Sequence, residues 1–221
     1  MNTLLAILWK DLVIEWRTRE RVVAMAVFAV LVALIFHFAA PAGELPETRA
    51  HLPGLLWVAT LFAAVLGLNR SFALELENDA WSALALAPAD RGFLFLGKAL
   101  ANTLLVASIV ALETGVFALA FQLPFGDVLW SFSLIAALGT FGICCLGSLF
   151  SAMAVRTAYR EVLLPLLLLP LLVPVLIGAV RSTQALLSGE AIPPQALRLL
   201  LVSDGLYLIV SFLGFEFVLD E

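Results

Sequence analysis

Charge is what this sequence has least of. Only 13% of its 221 residues are Asp, Glu, Lys or Arg, 63% are apolar, and mean hydropathy is +1.08. A soluble domain carries roughly 45–50% apolar residues, so no water-facing fold of this length hides the excess, and lipid has to be the solvent. The net charge of −5 then says little about partners and gives no sign of a nucleic-acid surface. Cysteine is almost absent: Cys144 and Cys145 are neighbours inside an apolar run. Adjacent cysteines make a strained disulfide, so both are expected as free, buried thiols packing as small hydrophobes, silent about redox compartment. Period-two alternation is missing, which excludes a transmembrane barrel. A removable leader is not expected either. Asp11, Glu15 and Glu20 make the first 21 residues too acidic, and the run that follows is long enough to span, so it is read as a retained helix although Ala40-Pro41-Ala42 loosely resembles a cleavage site.

What is present is a set of six apolar runs, at about 22–40, 52–68, 99–121, 128–155, 162–180 and 199–219. Each is long enough to cross about 30 Å of hydrocarbon, and only helices satisfy their own backbone there without closing a barrel. The fold class expected is therefore an all-α membrane protein, a single transmembrane domain over 1–221. Nine of the twelve Lys and Arg fall at the N-terminus (Lys10, Arg17, Arg19, Arg21) and in the second-to-third and fourth-to-fifth connections (Arg70, Arg91, Lys98, Arg156, Arg160). The opposite side holds three: Arg49, Arg181 and Arg198. The positive-inside bias then puts both termini in the cytoplasm of a multi-pass inner-membrane protein.

Two segments are expected on the cytoplasmic surface. Over 4–21, Leu5, Leu8, Trp9, Leu12, Val13 and Trp16 share one helical arc, while Lys10, Asp11, Arg17, Thr18 and Arg21 share the other. That is an interfacial amphipathic elbow helix with tryptophans at headgroup level. The longest connection, 70–90, carries Glu75, Glu77 and Asp79 beside Trp81 and Leu84; Pro88 stops it, and Asp90 or Arg91 restarts the chain. Carboxylates and large apolar side chains on one short helix suit docking by a cytosolic partner; a solvated connector on the headgroups is the plainer reading.

Several patterns invite chemistry. Gly92, Gly97 and Lys98 have the spacing of a phosphate-binding loop, but Ala99 stands where Ser or Thr would hold magnesium, and the run leads into a membrane helix without a preceding strand. Nucleotide binding by this chain is not expected. His37 and His51 flank the first outer connection; they are read as haem-iron ligands or as plain interfacial side chains. Glu113 lies inside the third span, where a carboxylate is costly and faces the bundle interior; it faces a substrate path, pairs with Arg181, or stays protonated against a neighbour. Asp204 and Glu216 sit nearer the ends of the sixth span, with Asp204 within reach of the headgroups. Small residues Ala136, Gly139, Thr140, Gly142, Gly147, Ser148, Ser151 and Ala152 stripe the fourth span, as close helix packing requires. Pro165, Pro170 and Pro174 each remove a backbone donor from the fifth span, so a kinked or broken helix is expected there, a candidate hinge. The stretch 181–198, with Ile192-Pro193-Pro194, is expected to lie on the outer surface or to dip back in. No metal site is expected.

The elbow, the six spans and the 70–90 segment together resemble the ABC-2-type permease family. The carrying stretch is Glu75-Leu76-Glu77-Asn78-Asp79, Trp81-Ser82-Ala83-Leu84-Ala85-Leu86, Pro88 and Gly97-Lys98. Within it the chain is similar to the haem exporter B family, permeases of the cytochrome c maturation system. That likeness rests on length, on Leu52-Pro53-Gly54-Leu55-Leu56-Trp57-Val58-Ala59, and on the run from Val162-Leu163-Leu164-Pro165 to Leu169-Pro170-Leu171-Leu172-Val173-Pro174. Ala80 and Ala83 depart from the family pattern, where glycine and a carboxylate are more usual.

The resemblance implies a non-catalytic subunit. Two copies would pair with two copies of a cytosolic ATPase that binds the ATP and docks at Glu75, Glu77, Asp79, Trp81 and Leu84. It further implies a haem-handling membrane protein, a small single-span subunit and a periplasmic haem chaperone as companions, with haem as cargo. A permease for a lipid or drug, and a structural membrane subunit without energised motion, are the competing readings.

Overall fold

The computed structural model describes residues 3–39, 45–72, 90–123, 125–155, 157 and 159–220. Among them the chain forms seven helices and no strand. They are α1 (Thr3–Thr18), α2 (Glu20–Ala39), α3 (Leu45–Asn69), α4 (Arg91–Phe121), α5 (Phe125–Ala154), α6 (Arg160–Leu187) and α7 (Pro194–Asp220). Six of them, α2 to α7, are long and apolar enough to cross a membrane, and the protein is a multi-pass membrane protein.

The helices outrun the hydrophobic segments at their polar ends. α4 begins at Arg91, eight residues ahead of the apolar run, because the Asp90 carboxylate accepts the Gly92 N–H at 2.8 Å and caps it. α6 continues to Leu187 through Arg181-Ser182-Thr183-Gln184, so only 188–193 separate it from α7. Of the stretch 181–198, then, 181–187 and 194–198 belong to helices and only 188–193 connect them. Two of the polar residues there face inward: Ser182 and Thr183 are fully buried, and Thr183 accepts the Trp57 indole N–H at 3.0 Å, while Arg181 and Gln184 are exposed.

α5 is the central helix, with 142–149 buried without interruption. Three of its glycines, Gly139, Gly142 and Gly147, receive side chains from neighbouring helices. A Cβ on Gly139 would lie 2.4 Å from the Trp57 ring, one on Gly142 2.2 Å from Asp204 Oδ1, and one on Gly147 2.4 Å from Leu68. The stripe of small residues is thus helix packing, as the sequence suggested. Cys144 and Cys145 lie in it as free, buried thiols.

α6 is one continuous helix with Pro165, Pro170 and Pro174 inside it. It is not broken, and a cross-helix bond lies beside its last proline. Leu171 lies in the turn before Pro174, where a proline loosens the ladder, and its carbonyl accepts the Tyr207 hydroxyl from α7. α2 is the most peripheral span: Arg21, Met25, Ala29 and Ala33 form a single buried stripe at four-residue spacing, and Val23, Val27, Leu31, Ile35 and Phe38 face outward.

Candidate functional site

Four buried charged residues, Asp11, Glu15, Arg21 and Lys98, gather at one end of the bundle, the end that carries α1. Asp11 and Glu15, one turn apart on α1, are 5% and 3% exposed. Asp11 Oδ2 pairs with Lys98 Nζ of α4 at 3.0 Å. Glu15 Oε2 pairs with Arg21 Nε of α2 at 2.7 Å, and its other oxygen accepts the Val22 N–H at 3.0 Å. Arg21 also donates to the Asn102 side-chain carbonyl at 3.1 Å, and the Asn102 amide donates to Ser71 and Ser148, each at 2.9 Å. Lys98 donates to the Ser71 carbonyl at 2.9 Å and sits 4.8 Å from the Phe72 ring centroid. Ser151 of α5 closes the set on the Leu68 carbonyl at 2.5 Å. Two buried carboxylates face two buried cations, and the part-exposed Lys10 adds a contact to Asp11 Oδ1 at 3.2 Å, so the buried part of the knot is neutral while every buried charge has a partner. Buried charges persist only on those terms.

α1 therefore does not lie with its whole polar arc in water. Its acidic side is inserted against α4, and Leu5, Trp9 and Trp16 face outward, the two tryptophans at 68% and 76% exposure. The two arcs are only partly as periodicity draws them: Leu12 of the apolar arc packs against the core, and of the polar arc Arg17 and Thr18 are exposed while Asp11 and Arg21 are buried. The glycine–lysine spacing in α4 has the same explanation. A Cβ on Gly92 would strike the Phe212 ring and one on Gly97 would crowd Ile7 and the Leu4 carbonyl of α1, while Lys98 answers Asp11. All three lie in continuous helix, which is no cradle for a phosphate.

Glu75, Glu77, Asp79, Trp81 and Leu84 lie outside the described residues. One root of their segment is inside the knot and the other is tied to α7. Ser71 and Phe72 precede the segment and are buried, Phe72 packing on Phe215 at 6.0 Å; Arg91 follows it and donates to the Glu216 carbonyl of α7 at 3.1 Å. The network joins α1, α2, α3, α4 and α5 around the first of those roots.

Farther along the bundle Glu113 is fully buried. Thr60 of α3 donates to its Oε2 at 2.8 Å, and Oε1 has no hydrogen-bond partner among the described residues. Arg181 is exposed instead, on the rim of a 340 Å³ cavity that it shares with Gln184, Ser188, Glu190 and Gln195. Asp204 does not reach outward; it is 4% exposed and turned onto α5. His37 and His51 are exposed, His37 standing edge-on to Phe121 at 5.6 Å. Among the described residues no three His, Cys, Asp or Glu side chains converge as metal ligands.

Sequence reasoning missed Asp11, Glu15, Arg21 and Asn102 as a unit. The signal was there in the spacing: acids one turn apart on a mostly apolar helix, and Asn102 one turn after Lys98 inside a span. Residues 2–213 match the family model described as CcmB protein. The chain is 34% identical to the heme exporter protein B of Rhodobacter capsulatus over 168 residues, 76% of each chain. It is 34% identical to that of Pseudomonas aeruginosa over 173 residues (78% of this chain, 76% of the relative) and 36% identical to that of Paracoccus denitrificans over 156 residues (70% and 69%).

Proposed function

This chain belongs to the CcmB family, and from that membership we propose that it is the membrane permease subunit of an ATP-driven complex serving haem export in cytochrome c maturation. The relatives' name, heme exporter protein B, supports haem as cargo. The single observation that carries the energised part is the neutral polar knot. The first root of the 73–89 segment is bolted through Ser71, Lys98 and Asn102 to α1, α4 and α5, and the second, Arg91, is tied to the Glu216 carbonyl of α7. A segment so anchored cannot be displaced alone, and a push on it moves spans.

In this reading a separate cytosolic ATPase docks on Glu75, Glu77, Asp79, Trp81 and Leu84, hydrolyses the ATP, and drives two paired copies of the permease. The elbow end, where the Lys and Arg concentrate, faces the cytoplasm and both termini lie there, in the inner membrane of a bacterium. Pro165, Pro170 and Pro174 give α6 its compliance, Glu113 is the polar point toward the path, and His37 and His51 are the residues open to haem on the outer side. A haem-handling membrane protein, a small single-span subunit and a periplasmic haem chaperone complete the assembly.

Purification of the membrane complex with identification of every companion tests this. An ATPase whose hydrolysis in the complex falls when Glu75, Glu77 and Asp79 are made neutral, together with loss of c-type cytochromes on deletion, is the expected result. ATPase coupling without a cytochrome phenotype points to a lipid or drug cargo. A complex with no nucleotide-hydrolysing member overturns the energised reading in favour of a structural subunit.

A further inference from the structure

Asp204 is a carboxylate in the middle of a membrane helix with both oxygens unpartnered among the described residues. Three helices wall it. On α5, Gly142 provides the gap it fills, an ideal Cβ there standing 2.2 Å from Oδ1; on α6, Val175, the residue after Pro174, closes the same gap, its Cγ2 lying 3.0 Å from that Cβ position. On α7 itself, Tyr207 one turn on is engaged with the Leu171 carbonyl. The titratable neighbours are Cys145 on α5 and Tyr207 on α7. α6 contributes Val175 at this level, its Arg181 being exposed at the helix end, and Glu113 of α4 is turned to Thr60. No described cation faces the group. A bare carboxylate in such surroundings is not sustained, and the few oxygens around it do not make the multidentate shell that a metal cation needs.

We propose that Asp204 is a proton-binding site inside the membrane, loaded while α7 is packed against Gly142 and emptied when that contact opens. The wall that opens is the proline-bearing stretch of α6, since Val175 follows Pro174 and Leu171 leans on Tyr207. The site then senses the same motion that moves the spans, and every opening carries a proton between the bundle interior and water.

Infrared difference spectroscopy on the full chain in liposomes tests the proposal without any ATPase, so its failure is separable from failure of the permease reading. Wild type minus Asp204→Asn at neutral pH is expected to show the carbonyl band of a protonated carboxyl, shifted in heavy water and indifferent to sodium. Glu113→Gln is expected to leave that difference intact. Gly142→Ala, which forces the carboxyl off α5, is expected to replace the band with carboxylate bands at the same pH, and it supplies the comparison where Asp204→Asn does not fold. Carboxylate bands already present in the wild-type difference, or a signal that moves with sodium instead of heavy water, would overturn the assignment.

Discussion

The two polar regions of this bundle are built on opposite terms. At the elbow end, Asp11, Glu15, Arg21 and Lys98 are matched two against two, and Asn102, Ser71 and Ser148 take up the remaining donors and acceptors. In the middle, Glu113 holds one hydrogen bond and Asp204 none among the described residues. Matched buried charges resist motion, because separating any pair strands an ion away from water. An unmatched polar group gains on moving, because the packed state leaves it unsatisfied. The contrast assigns rigidity to the end that would receive force and freedom to the region that would respond.

The sharpest way to break the contrast is to remove one member of the knot. Lys98→Met removes the buried partner of Asp11 and leaves it the part-exposed Lys10 at 3.2 Å, and it is expected to cost about 3 kcal/mol, the low end of the penalty for breaking a buried pair from one side. Thermal unfolding in detergent or nanodiscs reads it. Asp11→Leu combined with Lys98→Met removes both charges and is expected to recover most of the loss, since a buried pair replaced whole by apolar groups is close to neutral. A Lys98→Met chain that melts with the wild type would mean that the knot is wet, and the contrast with the middle would fail.

The glycines of α5 sharpen the comparison next. Gly139→Ala pushes a methyl to 2.4 Å from the Trp57 ring, whose indole is already tied to Thr183. Overpacking of that kind costs about 1–3 kcal/mol. Gly147→Ala meets Leu68 Cδ1 at the same 2.4 Å, but that is the far end of a flexible side chain. The ordering expected from unfolding midpoints is Gly139→Ala well below Gly147→Ala, and equal losses would show that the ring is free to shift.

The existence and number of spans were legible because continuous apolar runs have a length threshold set by the bilayer, and each run became a helix. Their ends were less legible. Hydropathy sees Arg181 and Thr183 as loop, whereas the bundle buries Thr183 against Trp57; it sees Arg91 and Gly92 as connector, whereas Asp90 caps a helix there. The knot was the least legible part. Periodicity divides α1 into two arcs but cannot tell whether water or another helix meets the polar one, and Asp11 meets Lys98 across 87 positions of sequence. Asp204 was misread for a related reason: distance from a helix end was taken to decide access, while the Gly142 gap on a different helix decided it.

Smaller effects probe the compliant region. Tyr207→Phe deletes the hydroxyl that Leu171 accepts on α6 and leaves the ring in place. A loss of about 0.5–1.5 kcal/mol is expected, with faster amide exchange confined to the turns around Pro170 and Pro174. Exchange that quickens along all of α6, or nowhere, would remove Tyr207 from the account of how that helix stays continuous.

Glu113→Gln is the smallest change and the most discriminating. The glutamine carbonyl keeps the Thr60 hydrogen bond, and its amide takes the place of an oxygen that had no described partner. One unsatisfied polar group replaces another, so stability is expected to shift by less than about 1 kcal/mol. Thr60→Val, which withdraws the donor, is expected to cost more than Glu113→Gln. That order is the reverse of the one at the elbow end, where losing charge matters more than losing a single neutral donor. A Glu113→Gln chain destabilised as heavily as Lys98→Met would show that the middle of the bundle also holds a charge in place, and the division between a rigid end and a responsive centre would have to be given up.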